Sequence, residues 1–106
     1  MNFVQIITVQ SDDPDTIVEL AAKWDAMQAE DEVSGYAGSR VLRDRERPGR
    51  YLVIAEFGQV DPAVPAADEA ARNNDRPITQ EWAERMRAIC DGEPDWGNFD
   101  EIYRTG

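Results

Sequence analysis

Histidine is absent from the sequence, cysteine occurs once, and 11 Lys and Arg face 22 Asp and Glu, for a net charge of −11. Each shortage removes a class of chemistry. Without histidine the usual general base and the commonest metal ligand are missing. A metal would then need a cluster of carboxylates around a hard cation. Asp12-Asp13-Asp15 and Glu30-Asp31-Glu32 lack calcium-loop spacing and read as a helix start and a solvated helix end, so no metal is expected. Cys90 cannot close an internal disulfide. Its place after Ile89 and before Asp91 and Glu93 suits a reduced, partly buried thiol. The deficit of basic residues disfavours phosphate backbones and anionic lipid, so neither a nucleic-acid nor a membrane partner is expected. No apolar run approaches the roughly 20 residues of a membrane span, and Met1-Asn2-Phe3 runs into a strand pattern without a basic leader, which points to the cytoplasm. Gly35 and Gly38 lie in a strand context instead of a phosphate loop, and no cofactor is expected.

What the sequence does hold is strand and helix patterning, over 106 residues with 42% hydrophobic and 31% charged content. That length and balance predict one globular domain spanning residues 1–106. Gly35 to Gly58 reads as a hairpin: a strand over Tyr36 to Asp44, a turn at Arg45-Glu46-Arg47-Pro48-Gly49, and a strand over Arg50 to Phe57. In the second strand Tyr51, Val53, Ala55 and Phe57 point one way and Leu52 and Ile54 the other, so both faces are apolar. Phe3 to Gln10 repeats the pattern, with Phe3, Ile7 and Val9 opposite Val4 and Ile6.

Between these strands, Asp12-Asp13-Pro14 carries a cap and a first-turn proline. Ile17, Leu20, Ala21, Trp24 and Met27 form the stripe of a helix ending near Glu30, with Glu19, Lys23, Asp25 and Gln28 on its wet side. After the hairpin come a short alanine-rich helix over Pro65 to Asn73, a break at Asn74-Asp75-Arg76-Pro77, and a longer helix over Ile78 to Ile89 stopped by Gly92. Trp96 to Arg104 suits a bent or edge strand. This order predicts an α+β, ferredoxin-like βαββαβ antiparallel sheet with its helices on one face. Helices on one side leave the second apolar face bare, and the economical cover is a second copy, so a homodimer is expected.

With element order in hand, GSRVLRDRERPGRYLVIAEF, NNDRPITQEWAERMRAICDG and PDWGNFD resemble the antibiotic biosynthesis monooxygenase-like proteins of the dimeric α+β barrel superfamily, in an actinobacterial-type branch. The resemblance covers nearly the whole chain and implies a two-fold barrel more firmly than a reaction. Haem-degrading members of that superfamily use a first-strand asparagine, a tryptophan and a haem-ligating histidine. Trp82 resembles the tryptophan, but no histidine exists here, and that chemistry is excluded.

Two functions stay open. One, implied by the resemblance, is cofactor-free oxidation of a small apolar or aromatic metabolite, with Glu56 or a tyrosine as the base in place of histidine. The other is a non-catalytic homodimer that binds a small molecule or a protein. No residue is assigned a catalytic role. The ligand-binding candidates are Asn74, Arg76 and Trp82 at the helix junction, Tyr51 on the adjoining strand, and Arg40. Each has a plainer role: Asn74 in capping, Arg76 in an ion pair with Asp75 or Glu81, Trp82 and Tyr51 in the core, and Arg40 in an ion pair between copies.

Overall fold

The computed structural model of the chain describes residues 2–31, 35–59 and 63–105. Its elements are β1 (Phe3–Gln10), α1 (Pro14–Glu30), β2 (Tyr36–Arg43), β3 (Arg50–Phe57), α2 (Ala66–Asn74), α3 (Pro77–Ala88) and β4 (Asp95–Asp100). The strands form one antiparallel sheet in the order β2-β3-β1-β4, which is the ferredoxin-like α+β arrangement. The two most apolar strands, β1 and β3, are therefore central and paired along their full lengths, from Phe3 opposite Phe57 to Gln10 opposite Arg50.

Local chemistry accounts for the element ends. Asp13 caps α1 by accepting from the Thr16 backbone N–H (3.2 Å) and hydroxyl (2.7 Å), and Pro14 fills the first helical position, where a missing N–H costs nothing. In the β2–β3 turn, Asp44 Oδ1 accepts from the backbone N–H of Glu46 (2.8 Å) and Arg47 (3.2 Å). Gly49 then takes a φ of +82°, at a point where a Cβ would lie 2.5 Å from Gln10 Nε2. Pro77 separates the two helices that follow β3.

The core lies between the sheet and α1 and α3. Ile17 and Met86 are fully buried against Ile7, Val9, Tyr51 and Val53. A second, smaller cluster sets Ala66 and Ala70 of α2 on Phe3, Ala55 and Phe57, where small side chains let the helix approach the strand closely. Two assignments differ from the sequence expectation. Gln28 is buried while Met27 is only partly so, because a step of four from Trp24 continues the stripe onto Gln28. The last strand stops at Asp100, and Glu101 to Thr105 is irregular, with Ile102 and Tyr103 exposed. That tail is held by the Glu101 backbone N–H on the Asn2 carbonyl (2.8 Å) and by Arg104 on Glu56 (3.0 Å).

On the side of the sheet away from the helices, register aligns Ile6, Ile54 and Gly97, with Leu42 beside Leu52 and Phe99 beside Val4. Ile54 is nearly buried there by its strand neighbours, whereas Leu42 and Phe99 are exposed. The ring of Phe99 folds over Gly97, where a Cβ would lie 2.6 Å from it. Both faces of the central strands are apolar, and the helices of one chain cover one of them.

Candidate functional site

A cavity of about 280 Å³ separates the helix layer from the sheet. That is close to the lower end of the roughly 300–1,000 Å³ of small-molecule sites. Its floor crosses the whole sheet: Ser39 from β2, Val53 and Ala55 from β3, Gln5 and Ile7 from β1, and Trp96 from β4. Its roof is Ala21 and Trp24 of α1, Thr79, Trp82 and Ala83 of α3, and Asn74 at the end of α2. The space has a packing cause. The Trp24 and Trp82 rings meet at a centroid distance of 4.9 Å and stand between helices and sheet, while Ala21, Ala55 and Ala83 fill little of the gap they leave.

Hydrogen bonding decides what each wall group offers. The Trp82 indole N–H is committed to the Leu20 carbonyl (2.9 Å), so Trp82 presents only its ring. The Ser39 hydroxyl donates to Asp25 Oδ1 (2.8 Å), and its lone pairs remain to accept. The Gln5 side-chain amide donates to Asn98 Oδ1 at a long 3.4 Å. Thr79 Oγ1 and the Trp24 indole N–H are buried with no hydrogen-bond partner among the described residues. The Asn74 carbonyl accepts from Gln80 Nε2 (2.6 Å). The result is an apolar slot edged mostly by neutral donors and acceptors, with the Arg87 guanidinium at one end.

Behind Ser39 lies a group the sequence did not single out. Tyr36 and Ser39 both donate to the same Asp25 oxygen, and Tyr36 meets Trp24 and Phe57 edge to face. Burial pushes the Tyr36 hydroxyl well above its ordinary value, and the hydrogen bond to Asp25 adds to the rise. At the far end of α3, burial raises the Cys90 thiol, helped by Asp91, and its Sγ donates to the Met86 carbonyl. Among the described residues no group of His, Cys, Asp and Glu is arranged to hold a metal ion.

Of the five residues singled out in the sequence, the structure brings Asn74 and Trp82 to the cavity wall. The other three lie elsewhere. Arg76 reaches across to Asp31 at the end of α1 and to Asn73 Oδ1 (3.2 Å), instead of pairing with Asp75 or Glu81. Tyr51 is a core residue with the Arg43 guanidinium 5.8 Å from its ring centroid. Arg40 is on the outer face, exposed, and 3.8 Å from Glu56 of its own chain. Glu56 shares that face and also holds Arg104, so it supplies no base to the cavity. Gln5 and Ser39 went unnoticed, although both were findable: each is a polar residue whose strand parity matches an inward apolar neighbour, Ile7 and Val41. Tyr36 was hidden by the irregularity between Tyr36 and Gly38, which shifts its parity relative to Ser39.

The raised Tyr36 hydroxyl has a stability signature. The folded chain keeps that proton where the unfolded chain releases it, so the associated stability is fully present below the ordinary tyrosine value of about 10 and is lost as pH rises beyond it. Urea denaturation across that alkaline range is expected to show a smaller loss for Tyr36→Phe than for the unaltered chain. Equal losses would mean that Tyr36 is not held in this way.

No protein-family model and no curated protein sequence matches the chain. Solved structures do. A variant of SnoaB, a cofactor-independent oxygenase from Streptomyces nogalater, superposes with a TM-score of 0.75 at 18% identity, covering 97% of this chain and 95% of that one. A candidate antibiotic biosynthesis monooxygenase from Nitrosomonas europaea gives 0.68 at 14% identity, with coverages of 99% and 94%. A similar candidate from Deinococcus radiodurans gives 0.68 at 11% identity, with coverages of 100% and 97%. The chain has the ferredoxin-like α+β fold of the antibiotic biosynthesis monooxygenase-like structures over essentially its full length.

Proposed function

We propose that the protein takes a small, largely apolar, aromatic metabolite into the cavity between its helices and its sheet and oxidises it with dioxygen without a cofactor. The observation that carries the proposal is the Trp-roofed slot of about 280 Å³ with neutral polar groups along its edge. Its likeness in fold to a cofactor-independent oxygenase supports the choice of reaction. In such chemistry an electron-rich phenol or hydroquinone supplies all four electrons. The ring C–H ortho or para to the hydroxyl and the O–H lose their hydrogens, and with one O₂ the phenol becomes a quinone and H₂O, one oxygen atom retained as the new C=O and the other leaving as water. The protein's part is to exclude water, orient the ring and steady the phenolate or enolate. In this scheme Ser39 accepts the substrate hydroxyl proton as its own passes to Asp25, 2.8 Å away, and the Asn74 amide donates to the oxyanion that forms.

The alternative is a non-catalytic module that holds the same kind of ligand, for which the cavity suffices. Oxygen uptake with a panel of hydroquinones and polyketide-like phenols separates the two. Uptake by the unaltered chain, reduced about 100-fold in Asp25→Asn with ligand binding retained, is the expected result. A flat trace beside measurable binding would leave the module.

The working unit in this proposal is a homodimer joined through the outer sheet face, where Ile6, Leu42, Leu52 and Phe99 gather apolar surface that a second copy would cover. Sedimentation at micromolar concentration is expected to give a dimer, and Leu42→Lys combined with Phe99→Glu a folded monomer. A stable monomer of the unaltered chain would refute this arrangement.

A further inference from the structure

Among the described residues that line the cavity, Arg87 is the one that carries a formal charge. It follows Thr79 and Ala83 at steps of four along α3, which puts it on the helix stripe that roofs the cavity, at the exposed end. Its guanidinium carbon stands 6.0 Å from the ring centroid of Trp96, the edge-strand residue that closes the floor on that side. The end of α3 is itself anchored: Ser11 Oγ donates to the Ile89 carbonyl (2.7 Å), and the Asp91 N–H donates to the Gln10 carbonyl (2.6 Å). Arg87 is thus fixed two residues before a pinned turn.

Its present partner leaves most of it unused. Glu93, 84% exposed, lies 3.6 Å from Nε, beyond hydrogen-bond reach, which leaves the guanidinium fork open to a further acceptor. That fork is the geometry a carboxylate or another ionised oxygen pair fits. Arg85, in the same last turn, differs in place and in partner: its Nη2 donates to Glu81 Oε1 at 2.8 Å, and it lies outside this cavity. An arginine needed only to complement the helix end would not require the position over Trp96. The chain as a whole, with its net charge of −11, repels anions at long range, so an anionic group is held here only by a cation in direct contact with it.

We infer that Arg87 is the specificity determinant of this cavity, selecting an aromatic ligand whose neutral ring enters beneath Trp24 and Trp82 and whose ionised oxygen substituent stays at the mouth, on the guanidinium beside Trp96. The inference rests on the reading of the cavity as a small-molecule site. It adds a charge requirement that the neutral lining alone does not impose.

The test uses two probes that differ in charge and little else, 1-hydroxy-2-naphthoate and 1-hydroxy-2-naphthamide, titrated against the full chain by calorimetry. The carboxylate is expected to bind at least about tenfold more tightly than the amide, a preference of about 1.4 kcal/mol. Arg87→Ala should abolish that preference while leaving amide affinity within about twofold, and Arg85→Ala should leave it unchanged. Equal binding of both probes by the unaltered chain, or a parallel loss of both in Arg87→Ala, would overturn the role given to Arg87 and leave the cavity reading standing. If neither probe binds, or if filling the cavity with Ala83→Leu changes nothing, the cavity reading fails and this inference with it.

Discussion

The Trp82 indole N–H on the Leu20 carbonyl, buried and 2.9 Å long, is the contact on which the helix layer depends. Left unmade, it would strand the buried indole donor, at a cost of about 1–3 kcal/mol, while the Leu20 carbonyl would keep its partner in the α1 ladder. Made, it ties α3 to α1 and sets the Trp82 ring against Trp24, a pairing that adds about 0.5–1.5 kcal/mol beyond simple burial. Two indoles are large and rigid, and with alanines at positions 21, 55 and 83 they hold the helices away from the sheet instead of filling the space beneath. The cavity follows from that geometry. Met86, Ile17 and Val9 pack normally at one end of the layer, and the open space lies where the small residues meet the large ones.

The same contact organises the electrostatics. With Trp82 spoken for and the Ser39 proton given to Asp25, the cavity of an acidic protein presents rings, lone pairs and amides, and Arg87 at its mouth is the charged group among its described lining residues. Asp25 is kept behind the cavity wall and Glu56 on the opposite face of the sheet. Burying an unpaired charge is costly. Sharing one Asp25 oxygen between the Tyr36 and Ser39 hydroxyls keeps that half-buried carboxylate solvated by protein, and it keeps the Tyr36 proton in place.

How much of this the sequence disclosed depended on whether a residue's role was local. The central strands were legible because their alternation is a property of each strand by itself, and so were the aspartate cap before Pro14, the Arg45 to Gly49 turn and the break before Pro77. The cavity was legible in part. Asn74 and Trp82 lie at a helix junction that reads as unusual, whereas Gln5 and Ser39 matter only through what faces them across the sheet. Partners distant in sequence were not legible at all. Arg76 finds Asp31 across α1, and Arg40 finds Glu56 across the hairpin, where nearer or external partners were expected. The last strand is shorter than its composition suggests: apolar Ile102 and Tyr103 continue the pattern, while its pairing to β1 ends with Asp100 opposite Phe3.

The central claim is that the space beneath Trp24 and Trp82 receives a small aromatic molecule. The chain has three tryptophans, hence three indole N–H resonances that can be followed separately by heteronuclear NMR as 1-naphthol is added under argon. The account predicts saturable shifts of the Trp24 and Trp96 indole signals, which lie on the cavity wall, with little change at the backbone amide of exposed Ile102. Three unmoved indole signals, or shifts confined to Leu42 and Phe99 on the outer face, would contradict it.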